Sequence, residues 1–366
     1  MQENQIIPWE IDDTMDEFYV PAYIEDMALE VVKEYDMSVH HMEVITTKED
    51  KGGLIWKIDT DKGPRSLKIL HRRPSRSLFS IGAQEYLVHE KKARIPVIIK
   101  TNQGETTVLK GGKIWFVAEW IEPLEQVSED LEGAKHLCRA LGEFHFLSKG
   151  YKPPKGAEVA SRLHRWPKTY QKVINKMEWF ENIAQSYQEM PASSVVLQHV
   201  DLFKQQAVNA KKRLDTSSYK ELTARGNQFW GLVHQDYGWS NGQMGAEGMW
   251  IIDLDGVAYD LPIRDLRKLI TGTMDDMGTW DVNWIIEMTE AYNETNPIEE
   301  DLYDMLLIDM SLPNEFYKNV KEMVYQPELF LDQELAALIE TIVVTDQSKW
   351  PAIQELSRIW KRGEFI

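Results

Sequence analysis

The chain has 366 residues, of which 43% are hydrophobic, and a formal net charge of −18. This length suits two lobes, the acidic balance argues against general nucleic-acid binding, and no apolar run approaches the ~18 residues of a membrane span. Residues 1–5 lack the basic and apolar regions of a signal peptide, and the lone Cys138 excludes an internal disulfide and favours a reducing compartment.

The N-terminal part of the chain is predicted to be a helix followed by strands. Residues 1–20 are polar and acidic, which is typical of a loosely held lead-in. Apolar residues recur at helical spacing over 22–35. Three strands are predicted next, at 41–47, 54–59 and 66–70. The turn between the first two holds Gly52 and Gly53, which favour a plain hairpin turn over a loop that contacts phosphate.

Lys68 lies inside the third predicted strand, on the face opposite Leu67 and Ile69. In kinases, the third-strand lysine reaches the ATP phosphates and pairs with a glutamate of the next helix. A solvated strand lysine is the alternative. The basic residues 72–76 are predicted to form a loop, and the helix after them, at 80–93, carries Glu85 and Glu90 as candidate partners for Lys68.

The next predicted strand, 114–121, is similar to the hinge strand that lines an adenine pocket in kinases. The backbone of Glu119, Trp120 and Ile121 would then supply the adenine hydrogen bonds, although the side chains equally suit an ordinary core. The Glu122-Pro123 step that follows is the predicted lobe boundary.

Helices dominate the middle of the chain. One is predicted at 131–148, with His145 as a core or capping residue, and others continue to about residue 222. Residues 158–228 form either a substrate-side insertion or a helical cap without a ligand.

Two short apolar strands then carry the polar residues that the chemistry needs. The first, 230–233, precedes His234-x-Asp236, with Asn241 five residues after the aspartate. The second, 249–252, delivers Asp253 and Asp255 at its end.

Phosphoryl transfer from ATP needs positioning and charge neutralisation more than covalent help. The spacing of His234, Asp236 and Asn241 matches the kinase catalytic loop H-R-D-x-x-x-x-N. It predicts Asp236 as the base, Asn241 and Asp253 as metal ligands, and His234 as a residue that holds the loop. Asp255 is either a second metal contact or a partner of Asp253. The absence of an A-P-E-like signal indicates a small-molecule kinase.

Three segments carry a specific resemblance, namely 233–238, 251–256 and 260–266. With them the chain resembles the CotS family of spore coat proteins, which belongs to the aminoglycoside phosphotransferase and choline kinase superfamily. Within that family it looks closest to the spore coat protein I (YtaA) type, over roughly residues 25–345. The resemblance supports Lys68 as the phosphate clamp, favours Glu85 as its partner, and implies that Asp265 braces the catalytic loop.

The predicted fold is α+β, of the two-lobe protein-kinase-like, aminoglycoside phosphotransferase type. A small β-rich N-lobe (21–122, with a five-stranded sheet) precedes a large helical C-lobe (123–366), whose last helices are expected at 281–292, 299–310, 313–324 and 332–343.

The predicted function is transfer of phosphate from ATP, with Mg²⁺, to a small hydroxylated acceptor. The alternative is a catalytically inactive structural component of the spore coat. Expected partners are the acceptor and other coat proteins, with neither nucleic acid nor membrane. The chain would be made in the mother-cell cytoplasm and reside in the coat. An acidic surface is compatible with a cationic acceptor, but we favour simple solubility as its reason.

Overall fold

The computed structural model describes residues 5–10 and 18–362. The predicted lead-in 1–20 therefore lies partly outside the described residues, at 1–4 and 11–17. The described chain forms two compact units. Unit 1 consists of Met1–Val127, Leu147–Ala160 and Gly238–Ala258, and unit 2 consists of Ser128–Phe146, Ser161–Tyr237 and Tyr259–Ile366.

The first part of the chain alternates helices with strands. Its elements are α1 (Ala22–Val32), β1 (Val39–Lys48), β2 (Gly53–Thr60), β3 (Arg65–Leu70), α2 (Pro74–His89), β4 (Ile98–Ile99), β5 (Val108–Lys110), β6 (Lys113–Glu119) and β7 (Glu125–Gln126). A 3₁₀ turn, Glu49–Lys51, joins β1 to β2.

The second part is mainly helical. Its elements are α3 (Leu131–Ser148), α4 (Trp166–Ser186), α5 (Ser193–Thr216), α6 (Tyr219–Ala224), α7 (Asn227–Trp230), β8 (Leu232–Val233), β9 (Gly242–Gly245), β10 (Gly248–Ile251), β11 (Ala258–Tyr259), α8 (Ile263–Asp276), α9 (Val282–Thr295), α10 (Glu300–Ser311), α11 (Asn314–Val320), α12 (Pro327–Phe330) and α13 (Gln333–Ile359). Two 3₁₀ turns, Leu254–Gly256 and Lys321–Val324, lie among them.

Unit 1 is built on an antiparallel sheet with the strand order β1-β2-β3-β6-β4, in which β5 also pairs with β6. The sheet thus has six strands, one more than predicted. Gly111 and Gly112 both have positive φ, so the chain reverses tightly and β5 pairs back onto β6.

One face of this sheet packs against α1. Leu67 and Ile69 of β3 are buried in the same apolar cluster as Ile24 and Val31 of α1. The strand period of two therefore directs Lys68, which lies between them, to the other face. The predicted alternation of β3 is confirmed.

Helix α2 begins at Pro74, six residues before the predicted start. A proline at the first helical position lacks only an amide N–H that would have no intrahelical partner, so it begins the helix without penalty. The predicted basic loop 72–76 is therefore wrong in its second half.

The glycine-containing hairpin of β9 and β10 joins β7 in a three-stranded sheet. This pairing groups residues 238–258 with the N-terminal part of the chain in unit 1, and Leu147–Ala160 clusters there too. The predicted C-lobe 123–366 includes both segments. Antiparallel pairing between β7 and β9, more than 110 positions apart in the chain, has no signature in local sequence.

Helix α13 is the longest helix of unit 2 and runs well past the predicted end at 343. It passes through Pro351, which removes one backbone hydrogen bond from the helix interior. Ala352, Ile353 and Leu356 beyond the proline are buried, so packing of that apolar face holds the last turns. Among the helices of the described residues, none has an apolar stretch of the length needed to span a bilayer.

Two buried carboxylates of unit 2, Asp309 and Asp260, have pKa values that are shifted in opposite directions. Asp309 accepts hydrogen bonds from Tyr170, Arg264 and Arg267. Burial would raise its pKa, but the two arginines and the phenol outweigh burial and lower the pKa. Asp260 accepts from Trp166 Nε1 and the Leu261 amide, and burial raises its pKa to about 6.

We expect Asp260→Asn to flatten the dependence of the unfolding free energy on pH. Because the folded-state pKa of Asp260 lies above the ordinary value of 3.8, its ionisation destabilises the fold as pH rises from about 4 to about 6. The contribution is about 3 kcal/mol at neutral pH. Urea unfolding at pH 4 to 8 measures it.

Asp309→Asn is the comparison variant, because the pKa of Asp309 is shifted in the opposite direction. This substitution leaves Arg264 and Arg267 without the carboxylate that pairs with them. It should destabilise the fold at pH 7 by about 3 to 5 kcal/mol. An unchanged pH slope in Asp260→Asn would contradict the assignment.

Candidate active site

Lys68 is the only charged side chain of β3 that points into a cavity of unit 1, among the residues that the structure describes. Its Nζ lies 3.4 Å from Oδ1 of Asp253, 185 positions later in the chain. Across the sheet Lys68 stands opposite Ile55 of β2 and Phe116 of β6. A predicted phosphate clamp and a predicted metal ligand are thereby in direct contact.

The cavity has a volume of about 890 Å³, within the usual range for a small-molecule site. All its walls belong to unit 1. Sheet residues, α2 and the chain after β6 form most of the lining, and the β9–β10 segment closes one end. The lining residues that matter here are Lys68, Gln84, Phe116, Glu119, Trp120, Ile121, Asn241 and Asp253.

The predicted hinge lines this cavity, but its backbone donors are not equivalent. The amide of Glu119 donates to Val97 O at 2.9 Å, and that of Trp120 donates to Pro64 O at 3.4 Å. The amide of Ile121 has no hydrogen-bond acceptor within residues 5–10 and 18–362. Of the three predicted hinge residues, Ile121 is thus the one whose amide N–H is not engaged within the described residues.

Asn241 and Asp253 are held side by side by their backbones. The amide of Ile252, the residue before Asp253, donates to Asn241 O at 3.0 Å, and the Asn241 amide donates to Gly238 O at 3.1 Å. Asp253 adopts a left-handed conformation (φ 59°, ψ 62°), which turns the chain sharply into the 3₁₀ turn that carries Asp255.

These oxygen donors fit a hard cation such as Mg²⁺, which prefers carboxylate and amide oxygens and keeps several waters. No cluster of three or more His, Cys, Asp or Glu suited to a metal occurs among the described residues. A site built from Asn241, Asp253 and phosphate oxygens needs no such cluster.

The electrostatics of the cavity centre on Lys68. Burial would lower the pKa of its ammonium, but Asp255 and Asp253 outweigh burial and raise the pKa. Burial in turn raises the pKa of Asp255, against the opposing charge of Lys68. The charge of Asp255 thus affects both Lys68 and Asp253, as expected of a residue that supports the site electrostatically.

The predicted pair between Lys68 and Glu85 is absent from the structure. Glu85 instead forms an ion pair with Lys100, and its other oxygen lies 3.4 Å from His89 Nε2. Gln84, one position earlier, lines the cavity and donates to Pro96 O at 2.7 Å. One residue rotates the side-chain direction by about 100° around a helix, so only one of the two can face the cavity.

The segment that holds His234 and Asp236 belongs to unit 2 and is held by Asp265. Oδ2 of Asp265 accepts from the His234 amide at 2.5 Å, and Oδ1 accepts from the Gln235 amide at 3.1 Å. Lys268 Nζ donates to the Gln235 carbonyl. Gln235 has a φ of 75°, which is unfavourable for a residue with a side chain, so these contacts hold the backbone against strain.

His145, predicted as a core or capping residue, is a core residue and completes this support, although its contact with Asp265 was not predicted. It is fully buried, its Nε2 lies 3.3 Å from Asp265 Oδ2, and its Nδ1 lies 2.8 Å from the Tyr292 hydroxyl. Burial would raise the pKa of Asp265, but the hydrogen bond and charge of His145, followed by Lys268, lower it to about 2. An unexplained polar residue on the apolar face of α3 was the only signal.

The predicted site residues therefore fall into two sets. Unit 1 brings together Lys68, Asn241, Asp253, Asp255 and the 119–121 backbone, whereas unit 2 holds His234 and Asp236. In the chain, Asp236 and Asn241 are five residues apart.

We expect Asp265→Asn to lower the free energy of unfolding by about 2 kcal/mol at pH 7, because an amide has one acceptor where the carboxylate uses two. The carboxylate contribution is present above pH 3.8 and is lost as pH falls through about 2. Urea unfolding measures the loss. Asp276→Asn, at an exposed position of α8, is the control, and equal stability of both variants with the unmutated chain would contradict the role of Asp265.

The chain is similar in sequence to a curated spore coat protein. No family model matches the chain. Spore coat protein S of Bacillus subtilis (strain 168) is 27% identical over 345 residues, which cover 94% of this chain and 97% of that protein. The predicted resemblance to spore coat proteins is confirmed at this level, while the finer spore coat protein I type stays a prediction.

Several solved structures share this fold. An aminoglycoside phosphotransferase from Alicyclobacillus acidocaldarius matches with a TM-score of 0.75 and 13% identity, over 96% of this chain and 99% of that chain. Amicoumacin kinase hAmiN, in complex with AMP-PNP, Ca²⁺ and Ami, matches at 0.60 and 14%, over 88% and 94%. A choline/ethanolamine kinase family protein from Mesorhizobium loti matches at 0.53 and 14%, over 91% and 99%.

Structural matches at such low sequence identity show the fold alone. That fold confirms the predicted α+β kinase-like class. The chain is a relative of spore coat protein S with the fold of the aminoglycoside phosphotransferases and choline kinases.

Proposed function

We propose that the protein is a phosphotransferase that uses ATP and Mg²⁺ to phosphorylate a small hydroxylated acceptor. The observation that carries the proposal is the cavity of unit 1, which gathers Lys68, Asn241, Asp253 and the Ile121 amide. A cation, two hard oxygen donors and a free hinge donor are the groups that a magnesium nucleotide requires.

Within unit 1 each residue has a separate task. The Lys68 ammonium, kept charged by its two aspartates, neutralises phosphate charge. Asn241 and Asp253 would hold the cation, which when bound supplies further neutralisation of the phosphates. Asp255 holds Lys68 electrostatically and so keeps the clamp directed at the same end of the cavity.

The adenine would lie against the hinge. Ile121 N–H donates to a ring nitrogen and the Glu119 carbonyl accepts from the exocyclic amine, while Phe116 and Ala118 supply apolar walls. The amides of Glu119 and Trp120 do not serve as donors to adenine in this proposal, because they already donate to Val97 and Pro64.

Asp236 would orient the acceptor hydroxyl and accept its proton. Its loop is rigid, since Asp265 and Lys268 hold the two residues before it. Rigid placement matters for a base because a small displacement of the reacting atoms lowers the rate strongly.

Two neighbouring structures support nucleotide use by the fold. Amicoumacin kinase hAmiN was solved with AMP-PNP and Ca²⁺, and a spectinomycin phosphotransferase was solved with ADP and spectinomycin, at a TM-score of 0.53. Both acceptors are small molecules, which supports a small-molecule acceptor for this chain.

A second candidate function is a structural role in the spore coat without catalysis. The name of the relative, spore coat protein S, favours it. On this proposal the chain is made in the mother cell and assembles with other coat proteins, and the kinase fold serves as a scaffold. The presence of Lys68, Asp236, Asn241 and Asp253 favours the catalytic proposal, because a scaffold does not need them.

We expect ATP and Mg²⁺ together to raise the melting temperature, and Lys68→Met to lose most of that rise. Binding to the folded state alone stabilises it by about 2.7 kcal/mol at a hundredfold excess over Kd. Differential scanning fluorimetry with ATP, with Mg²⁺ and with both measures the effect. Lys62→Met, an exposed lysine of the same unit, is the control. No shift at millimolar ligand would favour the scaffold function.

We expect Asp236→Asn to reduce turnover of ATP with an acceptor by at least about a hundredfold while the Kd for ATP stays within about twofold, because a base acts on the transition state and not on nucleotide binding. A screen of hydroxylated metabolites for ADP production identifies the acceptor first. Asp201→Asn, on the exposed face of α5, is the control, and normal turnover by Asp236→Asn would rule out the base assignment.

A further inference from the structure

Two strands that line the nucleotide cavity continue beyond it to cationic side chains. β1 contributes Ile45 and Thr46 to the cavity and ends at Lys48. β3 contributes Lys68, and His71 and Arg72 follow its last residue. The cations therefore lie past the end of the cavity, on the edge formed by the two strand termini.

Gly53 brings these strand ends together. It pairs with Lys48 in the β1–β2 register. A Cβ atom at Gly53 would lie 3.0 Å from Cβ of His71 and 3.4 Å from Cβ of Lys48. Because glycine has no side chain, Lys48 and His71 both lie against the backbone of Gly53.

The charges of this cluster are mutually repulsive. Burial, and then Lys48, Arg72, Lys51 and Lys113 in that order, lower the pKa of His71 to about 4. His71 is accordingly neutral at pH 7 and retains a ring N–H donor. Like charges gathered at one place destabilise a fold unless a ligand compensates them.

The cations around His71 differ in their partners. Lys51 pairs with Asp50, and Lys113 donates to the carbonyls of Lys51 and His71. Within the part of the chain that the structure describes, neither Lys48 nor Arg72 forms an ion pair, and Nε of Arg72 is buried without a hydrogen-bond acceptor. A buried guanidinium donor without an acceptor is costly, so it indicates a missing anion.

The cluster also borders the cavity along β1. Thr46 lines the cavity, and Lys48 lies two positions later on the same strand, so the strand period of two directs its side chain to the same face. The anion that fits this cluster therefore lies next to the cavity, past the strand that carries Lys68.

We propose that Lys48, His71 and Arg72 form a phosphate-binding site beside the cavity, at the C-terminal ends of β1 and β3, and that its ligand is the terminal phosphate of the nucleotide. A guanidinium presents a planar fork that matches phosphate oxygens, and Lys48 adds a point charge. The turn 49–53 has too few glycines to wrap phosphate with backbone amides, and these side chains take over that task. The source of the phosphate rests on the proposed function.

The test compares nucleotides that differ in their phosphates. Isothermal titration calorimetry with Mg²⁺ gives Kd for AMP-PNP and for ADP in the unmutated chain, Arg72→Gln, Lys48→Gln and the control Lys62→Gln. We expect each cluster variant to weaken AMP-PNP roughly tenfold and ADP less than about twofold, because only the terminal phosphate reaches the site. Neither variant should lower the melting temperature more than Lys62→Gln does, since neither Lys48 nor Arg72 forms an ion pair within the described residues.

A second arm uses inorganic phosphate alone and separates this inference from the proposed function. If no nucleotide binds but phosphate raises the melting temperature of the unmutated chain and not that of Arg72→Gln, the anion site stands and the phosphotransferase function fails. If AMP-PNP and ADP are weakened equally, the terminal-phosphate assignment is overturned. If nucleotides bind and neither they nor phosphate respond to the cluster variants, the site is overturned and the function stands.

Discussion

The ion pair between Lys68 and Asp253 is the interaction on which the candidate site depends. An ammonium in a partly buried cavity keeps its charge only if carboxylates compensate for lost hydration. Asp253 and Asp255 do so, and they raise the pKa of Lys68 against the effect of burial. The pair connects the central sheet strand to the end of the β9–β10 hairpin, so sheet and hairpin must be folded together before either the clamp or the cation ligands are in place.

Asp265 has the corresponding role in unit 2. It is buried, its oxygens accept two consecutive backbone amides before Asp236, and His145 lies against it. Its lowered pKa shows that the hydrogen bonds and charges around it outweigh the loss of hydration. In both units, carboxylates thus hold residues with proposed chemical roles in place.

The arrangement departs from the protein-kinase pattern at two points. Gln84 faces the cavity where a glutamate was predicted, so Lys68 relies on Asp253 and Asp255 for its countercharge. The turn between β1 and β2 has two glycines, and cationic side chains cluster beside it.

Local sequence determined much of this protein. The period of two in β3 assigned Lys68 to its face, and residue spacing selected His234, Asp236, Asn241 and Asp253, because strand geometry and loop length act over a few residues. Tertiary structure decided the rest. Whether Gln84 or Glu85 faces the cavity depends on how α2 packs, and the contacts of Asp265 with His145 and of Lys68 with Asp253 join residues 120 and 185 positions apart. No local pattern encodes such contacts, since they exist only when the chain closes long loops around a common core.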